Sequence, residues 1–231
     1  MASDSRVFEW RVRVGIEETR AILEVAPAST KGALFVCAHG AGGHMADRGM
    51  LALAGLFRSR GMHVVRFNFL YREKGTGRPD AMPRLEECIS AVAARARQEV
   101  GPELLIIGGR SMGGRAASML AADGFDAEGL LLLAYPLHPE GQPEKLRDAH
   151  LARIKVPVLC LNGTRDSLCR HDLMERVVSR LTDAWTMHWL EAADHAFHVL
   201  KTSGRSDSDV LNEIGDAGMA WQARLVPGDK R

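Results

Sequence analysis

The sequence carries almost no net charge: 30 lysines and arginines stand against 29 aspartates and glutamates, a formal balance of +1. That removes the bulk electrostatic case for a nucleic-acid partner or an anionic membrane surface. Cysteine is scarce and scattered. Cys37, Cys88, Cys160 and Cys169 form no CxxC pair and no Cys/His cluster with zinc-ligand spacing, which excludes the common zinc modules. Cys37 and Cys160 lie inside apolar runs and read as buried small hydrophobes. No apolar run approaches the roughly 20 residues that a membrane span requires. The opening MASDSRVFEW holds no apolar core of signal-peptide length, and reduced cysteines without an export signal make the cytoplasm the expected compartment. There is no internal repeat, low-complexity tract or interdomain linker. The expectation is a single domain over residues 1–231, with 226–231 as a loose tail.

What is present is a recurring apolar run. The first stretch, Val7 to Val25, differs from the rest: VFEWRVRV alternates apolar and polar residues, TRAILEVA follows, and Gly15 to Glu18 between them reads as a hairpin turn. After it come ALFVCAHG, MHVVRFNF, ELLIIGG, GLLLLAYP and VPVLCLNG, nearly continuous apolar segments of the kind buried on both faces in a parallel sheet. AWTMHWL is a more alternating version near the end. Helix-compatible stretches separate most of them: Met45 to Arg60, Pro83 to Val100, Met112 to Asp123 and His171 to Leu181, with a last one at about Asp207 to Arg224. This order predicts an α/β fold with a doubly wound, mostly parallel sheet and an N-terminal antiparallel hairpin at one edge. The longest expected loop runs from Leu70 to Pro83.

Chemistry-bearing residues collect after the strands. GGRSMGGR, Gly108 to Arg115, lies between a strand and an alanine-rich helical stretch. Gly109 to Gly113 is a G-x-S-x-G in the strand–turn–helix context of a nucleophile elbow, which would present the Ser111 hydroxyl. The pattern alone is weak, arising by chance in roughly one chain of this length in ten. It lacks the lysine of a phosphate-binding P-loop and the placement of a dinucleotide fingerprint. A serine nucleophile needs a base, and the base needs an orienting acid. Asp166 follows the strand VPVLCLNG, and His195 follows AWTMHWL. Both stand in the chain order serine, acid, histidine that an elbow enzyme requires. Asp172 is an alternative acid, although it falls within a helical stretch. His188 and His198 are alternative bases, and Asp194 is adjacent to His195. HGAGG, His39 to Gly43, follows an early strand and suits an oxyanion hole whose amides would come from Ala41 and Met112. His39 reads as a residue that organises this loop.

HGAGG, FNFLYREKGTGRPD, GGRSMGGR, YPLHPEGQPEKLRDAHLARIKVPVLCLNGTRD and ADHAF together resemble the α/β-hydrolase superfamily over nearly the whole chain. The closer resemblance is to its small cap-less group. That group includes dienelactone-hydrolase-like bacterial proteins, a testis-expressed eukaryotic protein and the hydrolase-like domain of a histone-acetyltransferase complex subunit. The resemblance implies Ser111 as nucleophile, Asp166 as acid and His195 as base. Dienelactone hydrolases use a cysteine where this chain has Ser111, which argues against transferring their lactone substrate. Only His138 to Lys155 occupies the place where larger members insert a cap. An open site is therefore expected, bounded by Asn68 to Arg72 and Pro136 to Pro139. Asn68, Tyr71, Arg72, Arg110 and His138 are the candidate substrate-binding residues. Arg72 and Arg110 either favour an anionic substrate or pair with nearby acids. The function expected is hydrolysis of a small-molecule ester or thioester, with no metal or organic cofactor. The alternatives are a catalytically silent binding or scaffold protein, or a peptidase or acyltransferase using the same residues. Oligomeric state is left open.

Overall fold

In the computed structural model, which describes residues 6–27 and 32–225, the alternating first stretch forms β1 (Val7–Val14) and β2 (Glu17–Glu24), paired antiparallel with Val12 opposite Thr19. One face of this hairpin buries Val12, Val14, Ala21 and Leu23, and the other is solvated. The tail expected over 226–231 lies outside the described residues. The continuous runs form β3 (Ala33–Ala38), β4 (His63–Phe67), β5 (Leu104–Arg110), β6 (Gly129–Leu133) and β7 (Val158–Gly163), and AWTMHWL contributes β8 (Trp185–Leu190). Every residue of β3, β4, β6 and β7 is buried, as continuous apolar strands covered on both faces must be.

The eight strands form one sheet in the order β1-β2-β4-β3-β5-β6-β7-β8. β2 joins β4 antiparallel, and every pairing from β4 to β8 is parallel. Successive side chains of a strand enter opposite layers. Leu34, Val36 and Ala38 meet α3 (Met82–Val100), α4 (Met112–Ala122) and α5 (His171–Val178) in one core. Ala33, Phe35 and Cys37 meet α1 (Arg48–Ser59) and α6 (Asp207–Ala223) in the other. This is the doubly wound, mostly parallel α/β architecture with an antiparallel edge hairpin that the sequence predicts. α3 ends on Gly101 in the left-handed conformation (φ 58°), and α6 starts on a Ser206–Asp209 capping box.

The expected loop from Leu70 to Pro83 contains a short helix, α2 (Leu70–Glu73). Four residues are too few to show a helical period. Tertiary contacts hold this turn: Glu73 accepts from Arg20 Nε (3.0 Å) and from Asn68 Nδ2 (2.8 Å). Among the described residues no helix is long and apolar enough to cross a membrane.

Candidate active site

The site is built on the turn between β5 and α4. Ser111 has φ 51° and ψ −117°, a positive-φ backbone conformation that a non-glycine residue adopts only when its surroundings enforce it. They do so on both sides. Ser111 N–H donates to the Leu133 carbonyl on β6 (2.9 Å), and the Ser111 carbonyl accepts from Arg115 N–H in α4 (3.0 Å). A Cβ at Gly113 would lie 2.6 Å from the carbonyl oxygens of Ala38 and His39, and one at Gly109 would run into the Ala38 backbone. The glycines thus let α4 and β5 close against β3, and the serine is lifted out of the turn.

His195 Nε2 lies 2.9 Å from Ser111 Oγ, and His195 Nδ1 lies 2.8 Å from Asp166 Oδ2. The parallel sheet brings the three together, because the loops after β5, β7 and β8 leave the same sheet edge. The carboxylate accepts from the Nδ1–H, so Nε2 faces the serine hydroxyl with its lone pair. The side chain of Asp166 is fully buried. Its remaining acceptor capacity is met by Leu168 N–H (2.8 Å) and Asn162 Nδ2 (3.1 Å). The His195 loop is fixed in turn: Arg110 Nη2 donates to its carbonyl (3.2 Å), and Ala193 bridges Val199.

The rival groups lie elsewhere. His188 pairs with Glu213 (2.8 Å), His198 with Asp207 (3.0 Å) and Asp172 with Arg170 (2.8 Å). Asp194 accepts from Ala196 and His198 N–H and so shapes its own loop. Asp207 raises the pKa of His198, mainly through their hydrogen bond.

Ala41 and Met112 line, together with Ser111, a cavity of ≈ 290 Å³. Among the described residues neither amide donates to another group, and Met112 N–H is the first amide of α4, which has no intrahelical acceptor. His39 is buried under this loop. Its Nδ1 contacts the Gly40 carbonyl (2.8 Å) and its Nε2 accepts from Phe69 N–H (3.2 Å). Burial is the main cause that lowers its pKa to about 4, so it is neutral and ties the Ala41 loop to the end of β4. Among the described residues no group of three or more His, Cys, Asp or Glu is arranged to hold a metal ion.

The structure places three of the expected substrate contacts in the interior. Asn68 is fully buried and wholly engaged: Oδ1 accepts from Met45 N–H (3.0 Å), while Nδ2 donates to Glu73 and faces His44 Nε2 (3.1 Å). Tyr71 is buried with its ring stacked on Phe69. His138 is buried between the Pro139 carbonyl (2.9 Å) and Arg170 N–H (3.2 Å). Asn68 and His138 hold loops together behind the surface, and the Tyr71 hydroxyl is buried without a hydrogen-bond partner among the described residues. Arg72 donates to the Thr76 carbonyl (3.1 Å) within its own loop. Arg110 supports His195 and lines a neighbouring cavity of ≈ 310 Å³. Neither arginine has a carboxylate within 4.0 Å among the described residues. The structure adds three residues that the sequence reading did not single out: Asn162 beneath Asp166, and Arg115 and Arg147 in the wall of the Ser111 cavity. Arg115 stood in the glycine-rich stretch without an assigned role, and nothing local marked the other two.

A family model described as "Alpha/beta hydrolase domain" matches residues 31–223. An alpha-beta serine hydrolase homologue from Coxiella burnetii superposes with a TM-score of 0.74 at 20% identity, covering 95% of this chain and 97% of the other. A dienelactone hydrolase from Anabaena variabilis gives 0.72 at 15% identity, covering 95% and 98%. A lid-less a/b serine hydrolase from Xanthomonas campestris gives 0.72 at 19%, covering 94% and 95%.

Proposed function

The chain belongs to the alpha/beta hydrolase domain family, and from that premise we propose that it is a serine hydrolase cleaving a carboxylic ester or thioester. The observation that carries this reading is the hydrogen-bonded chain Asp166–His195–Ser111, with the serine on a strained elbow. His195 Nε2 takes the Ser111 proton as Oγ attacks the acyl carbon. The carbonyl oxygen becomes an oxyanion, which the Met112 and Ala41 amides stabilise; preorganised donors of this kind are worth several kcal/mol in the transition state. Collapse breaks the bond to the leaving oxygen or sulfur, which receives the proton from His195 and departs as alcohol or thiol. Water, losing a proton to His195, then attacks the acyl-serine; the acid is released and Oγ is reprotonated. Asp166 holds the ring and stabilises its charged form throughout. Four free, buried thiols fit a reducing compartment, and the cytoplasm is the proposed location.

The test is labelling by a fluorophosphonate probe together with turnover of short p-nitrophenyl esters. Wild type is expected to label and turn over, and Ser111→Ala to do neither, with kcat lower by about 10⁴-fold or more. Equal labelling of the two proteins would sink the proposal.

A further inference from the structure

The wall of the Ser111 cavity contains two cations without an anion. Arg115 and Arg147 line it with Met82, Pro136 and Leu168. Arg115 stands one turn into α4, its Nε buried and without a hydrogen-bond partner. Arg147 comes from the short segment between β6 and β7, where the cap of larger members would be inserted. Its backbone is pinned on both sides: N–H to the Leu137 carbonyl (2.7 Å), and carbonyl from the buried Tyr135 hydroxyl (2.6 Å). Nη1 donates to the Pro136 carbonyl (3.4 Å). Both line the same cavity, and burial and the Arg115 charge both lower the Arg147 pKa. No carboxylate among the described residues lies within 4.0 Å of either. Glu86 feels Arg115 only at longer range, and Asp123 is paired with Arg153 (3.2 Å). Two like charges left unpaired in one cavity are electrostatically unfavourable until an anion enters, and an anion there gains charge-assisted hydrogen bonds.

The position of the cavity says which part of the substrate carries that anion. Ser111, Met112 and Ala41 line it, and His195 does not. In the proposed hydrolase, on which this inference rests, the leaving oxygen or sulfur must face His195 Nε2 to be protonated. The group that stays on Ser111 therefore occupies the cavity. We infer that the acyl group carries an anionic oxyacid end, carboxylate or phosphate, held by Arg115 and Arg147, with an apolar spacer against Met82, Pro136 and Leu168. A volume of ≈ 290 Å³ stands at the lower end of small-molecule sites, about 300–1,000 Å³, and suits a short dicarboxylic chain.

The experiment compares the N-acetylcysteamine monothioester of adipic acid with the same thioester carrying an ω-methyl ester. Wild type is expected to favour the free acid in kcat/KM by about 10- to 100-fold, with the preference shrinking as salt rises. In Arg147→Gln and in Arg115→Gln the ratio should fall towards one; because a ratio is read, a general loss of activity does not mimic the result. Turnover of both thioesters by wild type with no preference overturns the subsite and leaves the hydrolase standing. If wild type turns over neither, calorimetric binding of both compounds to Ser111→Ala decides the subsite alone: tighter binding of the free acid supports it, and equal or absent binding overturns it. Competition by adipate against 4-phosphonobutyrate, each beside its methyl ester, tells which oxyacid fits; neither anion surpassing its ester overturns the inference.

Discussion

Asn162 shows how much one buried amide can decide. Its Oδ1 accepts from Tyr135 N–H (3.0 Å) and its Nδ2 donates to the Tyr135 carbonyl (3.0 Å), which sews the ends of β6 and β7 together. The same Nδ2 reaches Asp166 (3.1 Å). In Asn162→Ala the buried Tyr135 N–H loses its only partner among the described residues, while the Tyr135 carbonyl keeps Leu137 N–H and Asp166 Oδ2 keeps His195; an unsatisfied buried group costs about 1–3 kcal/mol. Urea unfolding should show a loss of about 1–3 kcal/mol. The kcat for p-nitrophenyl acetate should fall by about tenfold or more as Asp166 loses its fixed orientation. Unchanged kcat would mean that the remaining contacts of Asp166 are sufficient to hold it. The strained Ser111 backbone is held in the same manner, by Leu133 on one side and Arg115 on the other.

At the scale of elements, close approach of α4 to β3 sets the elbow. Gly113→Ala would push the helix off the Ala38 and His39 carbonyls; overpacking of this kind costs about 1–3 kcal/mol. It should lower the melting temperature and slow fluorophosphonate labelling, both read on the same preparation. Gly55 is the contrasting case. It lies inside α1 with nothing within 4 Å of an added Cβ, so the helix bears the glycine's conformational entropy without a packing return. Gly55→Ala should stabilise the protein by about 0.5–1 kcal/mol in urea with labelling unchanged. Destabilisation would show that this face of α1 is tighter than the geometry indicates.

For the whole molecule, acid stability follows from two buried neutral histidines. Burial is the first cause lowering both His39 and His150 from 6.5 to about 4; Arg115 and Arg153 also disfavour charge on His150. Between those values the unfolded chain binds the protons and the folded protein does not, so stability rises with pH. Their contribution is complete above pH 6.5 and is lost as pH falls towards 4, about 3 kcal/mol for each at the limit. Urea midpoints measured from pH 7.5 to 4.5 should fall steeply below pH 6.5. His150→Gln, which keeps an amide facing Ser118 (2.7 Å from Nε2 in the parent), should flatten the curve by about half, since one of two comparable groups is removed. A curve of unaltered slope would show that His150 contributes nothing to the acid sensitivity.

Hydrophobic periodicity is local, and it determined the eight strand segments, the long helices and the hairpin, while the G-x-S-x-G pattern and the chain order of the residues that follow strands pointed to Ser111, Asp166 and His195. That pattern also marked the glycines of the elbow, though not why Gly108 and Gly114 belong with them. The sheet supplies that reason: a Cβ at Gly108 would strike the Leu131 carbonyl, and one at Gly114 would lie 2.6 Å from the Gly109 carbonyl. Only the tertiary structure decided which polar residues near the site reach it. Asn68, Tyr71 and His138 stand at loop positions that a sequence assigns to the surface, yet each is buried, because partners 5 to 32 residues away take up Asn68 and His138 and neighbouring rings cover Tyr71. Arg115 and Arg147 are separated by a helix, a strand and a loop, and they share one cavity because parallel strands deliver their following loops to one edge. Alternation within a strand is written in neighbouring residues, whereas convergence at that edge depends on strand order and register, which no short stretch of chain contains.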